Sequence, residues 1–322
     1  MTEPKIAVVI PCYRVKEHVM DVLANIGAEC SFIFVVDDCC PDASGQMVKE
    51  QSRDQRVVVI RHDANRGVGG AVMSGYRAAL DAGADIVVKV DGDGQMDPRL
   101  IPRLVSPLIR GEADYAKGNR FYALYGLHAM PRVRLIGNAV LSFMTKLSSG
   151  YWKVFDPTNG FTAVHATALR QIEMKNIDER YFFETDMLIH LGVVRAVVRD
   201  IPMEAHYGTE KSNLKIRSII GQFLGKHLYA LCKRVIYLYF LRDFGLGSIN
   251  LIFGVLLFAF GTIFGGIEWL HSAQAGVPAT AGTVMIAVLP MILGFQLLLS
   301  FVSFDVANEP TVPLQQVSGR RN

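Results

Sequence analysis

Two long stretches near the C-terminus carry no charge, and they limit what the chain can fold into more than any other feature. Asp243 and Glu268 are separated by 24 uncharged residues. His271 and Asp305 are separated by 33 residues without Asp, Glu, Lys, Arg or His. Roughly 20 apolar residues suffice for a helix to cross a bilayer. A buried hairpin in a soluble core is the plain alternative. The runs Leu251-Ile252-Phe253-Gly254-Val255-Leu256-Leu257-Phe258 and Leu297-Leu298-Leu299 disfavour it, because they are apolar on every helical face. We read membrane spans at 248–267 and 283–304. The mean hydropathy of +0.27 owes its excess to this region. Lys226, Lys233, Arg234 and Arg242 precede the first span and Arg320-Arg321 follow the second, while the connector 268–282 holds no Lys or Arg. That bias sets both termini on the cytoplasmic side. The start, Met1-Thr2-Glu3-Pro4-Lys5, runs into a strand without signal-peptide character. The expected location is therefore the cell inner membrane, crossed more than once.

The first third of the chain has a different grammar. Short β-rich runs at 5–10, 32–36, 57–61 and 86–90 alternate with helical periodicity at 15–26, 43–53 and 69–82. Such alternation predicts an α/β fold with a mostly parallel sheet covered on both faces. Each strand ends in polar or turn-forming residues: Pro11-Cys12-Tyr13, Asp37-Asp38, His62-Asp63-Ala64-Asn65 and Asp91-Gly92-Asp93. Ligands bind at the carboxyl ends of strands in open sheets of this kind. Asp37, Asp38, Asp91 and Asp93 are thus expected at one crevice. Further strands are expected at 115–117, 162–165 and 193–201, and a helix at 132–148. From 214 to 241 apolar residues recur at helical spacing among basic ones, which predicts amphipathic helices on the membrane surface.

Asp91-Gly92-Asp93 follows the apolar run Ile86-Val87-Val88-Lys89-Val90, so an extended backbone sends both carboxylates to the same side. Two hard oxygen donors there suit Mg2+ or Mn2+, with open positions for phosphate oxygens. Gln95 is a third candidate ligand. The glycines of Asn65-Arg66-Gly67-Val68-Gly69-Gly70 permit close backbone approach, but the Lys-Ser/Thr of a Walker loop is missing. A net charge of +3 gives no case for nucleic acid. The five cysteines show no Cys-x-x-Cys spacing, so free thiols in a reducing compartment are expected.

Pro11-Cys12-Tyr13, Val35-Val36-Asp37-Asp38, Asn65-Arg66-Gly67-Val68-Gly69-Gly70-Ala71 and Asp91-Gly92-Asp93-Gly94-Gln95 occur in order on successive βα units. Together this set resembles the inverting family 2 glycosyltransferases of the GT-A fold. Within them it is most similar to dolichol-phosphate mannose synthases and bacterial polyprenyl-phosphate glycosyltransferases. Gly118-Asn119-Arg120, Asp156-Pro157-Thr158-Asn159-Gly160-Phe161 and the two-span hairpin sharpen the likeness. There are departures. Arg14-Val15 stand where the family has Asn-Glu, and Cys39-Cys40 where it favours Gly-Ser. His206-Tyr207-Gly208-Thr209-Glu210-Lys211-Ser212 replaces an Arg-x-x-Gly-x-Ser-Lys stretch, which weakens any assignment of GDP-mannose as donor.

The resemblance implies a GT-A nucleotide-sugar-binding domain at 1–212 and amphipathic juxtamembrane helices at 213–243. A two-helix transmembrane hairpin at 244–305 and a loose cytoplasmic tail at 306–322 complete the plan. It implies a UDP- or GDP-sugar donor held by Pro11, Tyr13, Asp37, Asp38, Gly67, Asp91, Gly92 and Arg120. The metal would sit on Asp91, Asp93 and Gln95. Arg132, Arg134 and Lys211 are candidates for the phosphate of a polyprenyl phosphate acceptor at the lipid bilayer; attraction to lipid headgroups is the alternative. Asp93 and Asp156 are the catalytic candidates, with Asp156 acting as base or orienting the attacking oxygen. Glu184 and Asp186 also stand near, unless they merely cap a helix. Several copies could pair through their hairpins, for which Gly261 and Gly265 have small-xxx-small spacing. Two rivals stay open. A processive polysaccharide synthase would need Gln-x-x-Arg-Trp, and neither Trp152 nor Trp269 stands in it. A non-catalytic membrane scaffold would have no need of Asp91, Asp93, Gln95 and Asp156.

Overall fold

Four apolar runs in the first ninety residues pair side by side. In the computed structural model, which describes residues 3–121, 132–203 and 216–319, β1 (Ile6–Cys12), β2 (Cys30–Asp37), β3 (Val57–Arg61) and β4 (Ile86–Lys89) lie parallel. The helices α1 (Val19–Ala24), α2 (Ser44–Gln51) and α3 (Gly67–Asp81) connect them. β5 (Tyr115–Asn119), β6 (Thr162–His165) and β7 (Val198–Pro202) complete a sheet of order β3-β2-β1-β4-β6-β5-β7. Only β6 runs antiparallel to its neighbours, so the sheet is mixed but mostly parallel, as the alternation implied.

Side chains sort by strand period. Ile6, Val8, Ile10 and Cys12 enter one apolar layer with Val19, Val22 and Leu23 of α1 and with Ile101, Leu104 and Leu108 of α4 (Ile101–Ile109). Ala7 and Val9 enter the other layer, with Ala71, Val72 and Tyr76 of α3. Met187, Leu188 and Leu191 of α7 (Phe183–Val194) close it. Burying each large aliphatic side chain contributes about 1.5–3 kcal/mol, so the sheet is a rigid base for whatever its strand tips carry. Two further helices are α5 (Arg132–Ser149) and α6 (Ala166–Gln171).

The chain forms two compact units. One comprises Met1–Leu231 with Pro310–Asn322, the other Cys232–Glu309. The expected juxtamembrane helices are one helix, α8 (Ile216–Ile236), followed by a π-helical turn at Tyr237–Arg242. Its first unit portion is two-faced. Ala230 and Phe223 pack with Phe182 and Ile189, and the Phe182 ring meets His227 edge-on, while Leu224, Leu228 and Tyr229 stay exposed.

The second unit is a hairpin of α9 (Leu246–Ala275) and α10 (Ala281–Ala307). At 30 and 27 residues these span about 45 and 40 Å at 1.5 Å per residue, enough to cross a membrane. Most of their large apolar side chains face outward. A Cβ at Gly261 would lie 2.5 Å from the Ala287 carbonyl, and one at Gly265 would lie 3.1 Å from the Ala287 Cβ. These two glycines therefore serve close packing inside the hairpin rather than a contact between copies. At its foot Asp305 accepts from Arg234 at 2.7 and 3.0 Å and from the Tyr239 hydroxyl.

The tail also departs from expectation. It folds back as α11 (Leu314–Gly319), with the Leu314 and Gln315 amides donating to the Asp114 carboxylate at 2.9 and 3.3 Å. Gln315 Nε2 donates to the carbonyls of Leu108 and Ala113, and Gln316 Nε2 to that of Gly111. Buried backbone carbonyls need donors, and the polar composition that suggested a loose tail supplies them.

Candidate active site

β1 lies between β2 and β4, so the chain turns opposite ways on its two sides. Ligands of open α/β sheets bind at the carboxyl ends flanking such a reversal. A cavity of about 590 Å³ opens there. It is lined from β1 by Pro11, Cys12, Tyr13, Arg14 and Val15, and from β4 by Asp91, Gly92 and Asp93. Asp38 and Gly67 come from the next two tips, and Arg180 and Tyr181 from the segment before α7. Of the predicted donor-site residues, Pro11, Tyr13, Asp38, Gly67, Asp91 and Gly92 are brought together, and Asp93, predicted as a metal ligand and catalytic residue, lies with them.

Others are elsewhere. Asp37 is buried and accepts from the amides of Cys40 (2.7 Å) and Gly45 (3.1 Å), so it caps the start of α2. Gln95 lines a separate cavity of about 250 Å³ with His18, Asp21 and Arg99. The Arg120 fork is turned to a carboxylate. It grips Asp156 through Nε (2.8 Å) and Nη2 (3.0 Å), and Asp156 is only 1% exposed. The side chains of Arg132 and Arg134, and all of Lys211, lie outside the described residues.

Asp38 faces the cavity, yet its carboxylate is heavily engaged. It accepts from the amides of Arg66 (2.8 Å) and Gly67 (2.7 Å) and from His62 Nδ1 (2.8 Å). Gly67 sits at φ +86°, a conformation that costs a side-chain residue energy, and a Cβ there would meet the Glu179 carbonyl at 2.5 Å. The glycine-rich turn thus makes room for residues 178–179, which carry Arg180 and Tyr181 to the rim.

Asp91 follows the end of β4 beside Lys89, but Asp93 stands in a turn at 92–93, so the extended backbone expected through both carboxylates ends at Lys89. Asp91 Oδ1 accepts from Lys89 Nζ at 2.7 Å, and Asp93 Oδ1 from the Gln95 amide at 3.0 Å. Glu184 meets Lys89 at 3.4 Å, and Asp186 accepts from the Asp178 amide at 2.7 Å, so both acids brace the first turn of α7. Among the described residues no three His, Cys, Asp or Glu side chains converge to enclose a metal. Two carboxylates in an open cavity instead fit a small hard cation whose remaining positions are filled by diphosphate and water. Burial drives the Lys117 amine down to about 8, against the opposing pull of Asp156, Glu184 and Asp200.

Arg14, Arg180 and Tyr181 were not singled out from sequence as cavity residues. Arg14 was visible only as a departure from a motif. Arg180 and Tyr181 lie far along the chain and reach the cavity because α3 packs beside α7.

Residues 7–173 match glycosyl transferase family 2. The chain belongs to this family. As a family 2 glycosyltransferase it has relatives that it matches over most of their own length. It is 29% identical to the UDP-N-acetylglucosamine–dolichyl-phosphate N-acetylglucosaminyltransferase of Methanococcus voltae, over 64% of this chain and 88% of that one. With the undecaprenyl-phosphate mannosyltransferase of Micrococcus luteus it shares 27% identity, over 62% of this chain and 82% of that protein. The crystal structure of glucosyl-3-phosphoglycerate synthase from Mycobacterium tuberculosis, in complex with Mn2+, UDP and glucosyl-3-phosphoglycerate, superposes with a TM-score of 0.52. The identity is 18%, over 72% of this chain and 80% of that one, a likeness of fold. The family 2 enzyme described here thus has a GT-A-like sheet and two C-terminal helices apolar enough to span a membrane.

Proposed function

We propose that this glycosyltransferase moves one sugar from a nucleoside-diphosphate sugar to a polyprenyl phosphate at a membrane, with inversion. The observation that carries the reading is that Asp91 and Asp93 line the same cavity at the carboxyl ends of β1 and β4, with Arg14 and Arg180 on its walls. Anionic diphosphate between two arginines and a carboxylate-held cation would be charge-balanced. A polyprenyl phosphate acceptor is supported by the names of the two transferases above and by the apolar hairpin.

Asp91 and Asp93 would hold Mg2+ or Mn2+, which supplies Lewis-acid neutralisation of the leaving diphosphate. Pro11, Tyr13, Asp38 and Gly67 shape the nucleoside end, and Arg14 and Arg180 meet the phosphates. An acceptor phosphate oxygen attacks the anomeric carbon. The bond from that carbon to the donor diphosphate breaks, and the nucleoside diphosphate leaves with the electron pair. A phosphate monoester is ionised near neutral pH, so no strong base is required. That favours the positioning role for Asp156, whose carboxylate is already held by Arg120.

The chain leaves the first unit within α8, after Leu231, and rejoins it from Pro310 on, where α11 docks on Asp114. The return supports placing both ends on one side, read as the cytoplasmic face of the inner membrane. The test is direct. Purified protein with undecaprenyl phosphate and a panel of radiolabelled UDP- and GDP-sugars should yield labelled, solvent-extractable lipid. Label that stays with water-soluble products for every donor would refute the acceptor assignment.

A further inference from the structure

Two lysines are fully buried in the sheet, Lys89 on β4 and Lys117 on β5. Both register with the same residue, Thr162 of β6, one from each side. Strand period puts Lys89 on the face shared with Val87 and Lys117 on the face shared with Tyr115, and those partners lie in the same apolar layer. Two ammonium groups are thus rooted in one row, about 10 Å apart by strand spacing. A buried charge is costly unless it is paired and hydrogen-bonded.

The partners are specific. Lys89 Nζ donates to Asp91 Oδ1 (2.7 Å), to the Gly160 carbonyl (3.2 Å) and to Glu184 Oε1 (3.4 Å), using all three donors of an ammonium. Lys117 Nζ donates to the carbonyl of Asn159. The two lysines therefore hold consecutive carbonyls of the loop that starts at Asp156. A Cβ at position 160 would collide with both Lys89 Nζ and Asp91 Oδ2, so only glycine lets the loop come this close.

We propose that Lys89 and Lys117 are a buried pair of positioning residues, Lys89 fixing the Asp91 carboxylate for the cation and Lys117 fixing the loop that carries Asp156. The inference rests on the reading of Asp91 and Asp93 as cation ligands. With Oδ1 held by Lys89, Asp91 presents one oxygen to the cation, which suits six-coordinate Mg2+ or Mn2+ better than the bidentate carboxylates of Ca2+.

A double-mutant cycle on the full-length protein in detergent tests it. Mn2+ binding in the presence of UDP is followed by the electron paramagnetic resonance of free Mn2+, with thermal melting as the control for folding. Lys89→Met is expected to weaken Mn2+ binding about ten-fold or more. In an Asp91→Asn background the same change should add less than two-fold, because the carboxylate it positions is gone. Should Lys89→Met fail to fold, Lys89→Met/Glu184→Gln, which removes a second uncompensated carboxylate, replaces it in the cycle. Lys117→Met is expected to slow transfer about ten-fold while Mn2+ affinity shifts less than three-fold. Additive losses from Lys89→Met and Asp91→Asn, or unaltered Mn2+ binding in Lys89→Met, would overturn the role of Lys89. Equal loss of Mn2+ affinity in both lysine variants would overturn the division between them. Wild-type protein that binds no Mn2+ with UDP sinks the cation reading and this inference with it. Wild-type protein that binds both but transfers nothing to polyprenyl phosphate sinks only the acceptor.

Discussion

Asp93 and Asp156 show how one residue type serves different ends. Asp93 lines an open cavity, whereas Asp156 is sealed against Arg120. Asp93→Ala is expected to lower sugar transfer at least 100-fold, the scale of losing one electrostatic element of transition-state stabilisation, with a melting temperature near wild type. Arg120→Ala should do the reverse first. It strands a buried carboxylate and is expected to cost about 3 kcal/mol of stability, seen as a lower melting temperature that Asp156→Asn partly restores. His227 gives a pH signature. Burial pushes its imidazole down to about 4, and Nδ1 lies 2.9 Å from the Ser148 hydroxyl. The unfolded chain, with histidine near 6.5, binds more protons between those values. Stability should therefore fall as pH drops from about 6.5 toward 4, by ~3 kcal/mol at most from this group. Melting of His227→Gln across that range should be flatter than wild type; an identical pH profile would remove His227 from the account.

Elements behave as their patterns dictate where the pattern is local. The strand at Val57–Arg61 coincides with the apolar run that predicts it, and Arg132–Ser149 exceeds its predicted helix by one residue. Amphipathic reading fails to choose a face for α8, because both of its sides are apolar: one meets Phe182, and the other shows Leu224 and Leu228. The spacing of Gly261 and Gly265 likewise signals close helix packing but not which helix approaches. Sequence composition misjudges α11, since its glutamines are polar yet docked. Asp114→Ala removes the acceptor of the Leu314 and Gln315 amides. These amides should then exchange with deuterium at least ten-fold faster than in wild type, and unchanged protection would deny the docking its anchor.

At the scale of the molecule, a chain that returns to its first unit after an apolar hairpin should show its ends on one side and its connector on the other. In inverted and right-side-out vesicles, a membrane-impermeant thiol reagent should label a cysteine placed at Ala279 from the face opposite to one placed at Ser318. Labelling of both from one face would refute the two-span reading. Much of this architecture is written in the chain because it depends on near neighbours. Alternating strand and helix runs set the parallel sheet, uncharged length sets the spans, and the acidic residues just past the β4 tip set where Asp91 and Asp93 emerge. The tertiary structure decided the partners. Asp37 turned to α2, Arg120 to Asp156, Lys89 to Asp91 and the tail to Asp114. Arg120 and the tail meet groups brought close only by packing, Lys89 adds the distant Glu184 to its near neighbour Asp91, and the free energy of a buried charge depends on what surrounds it in space rather than along the chain.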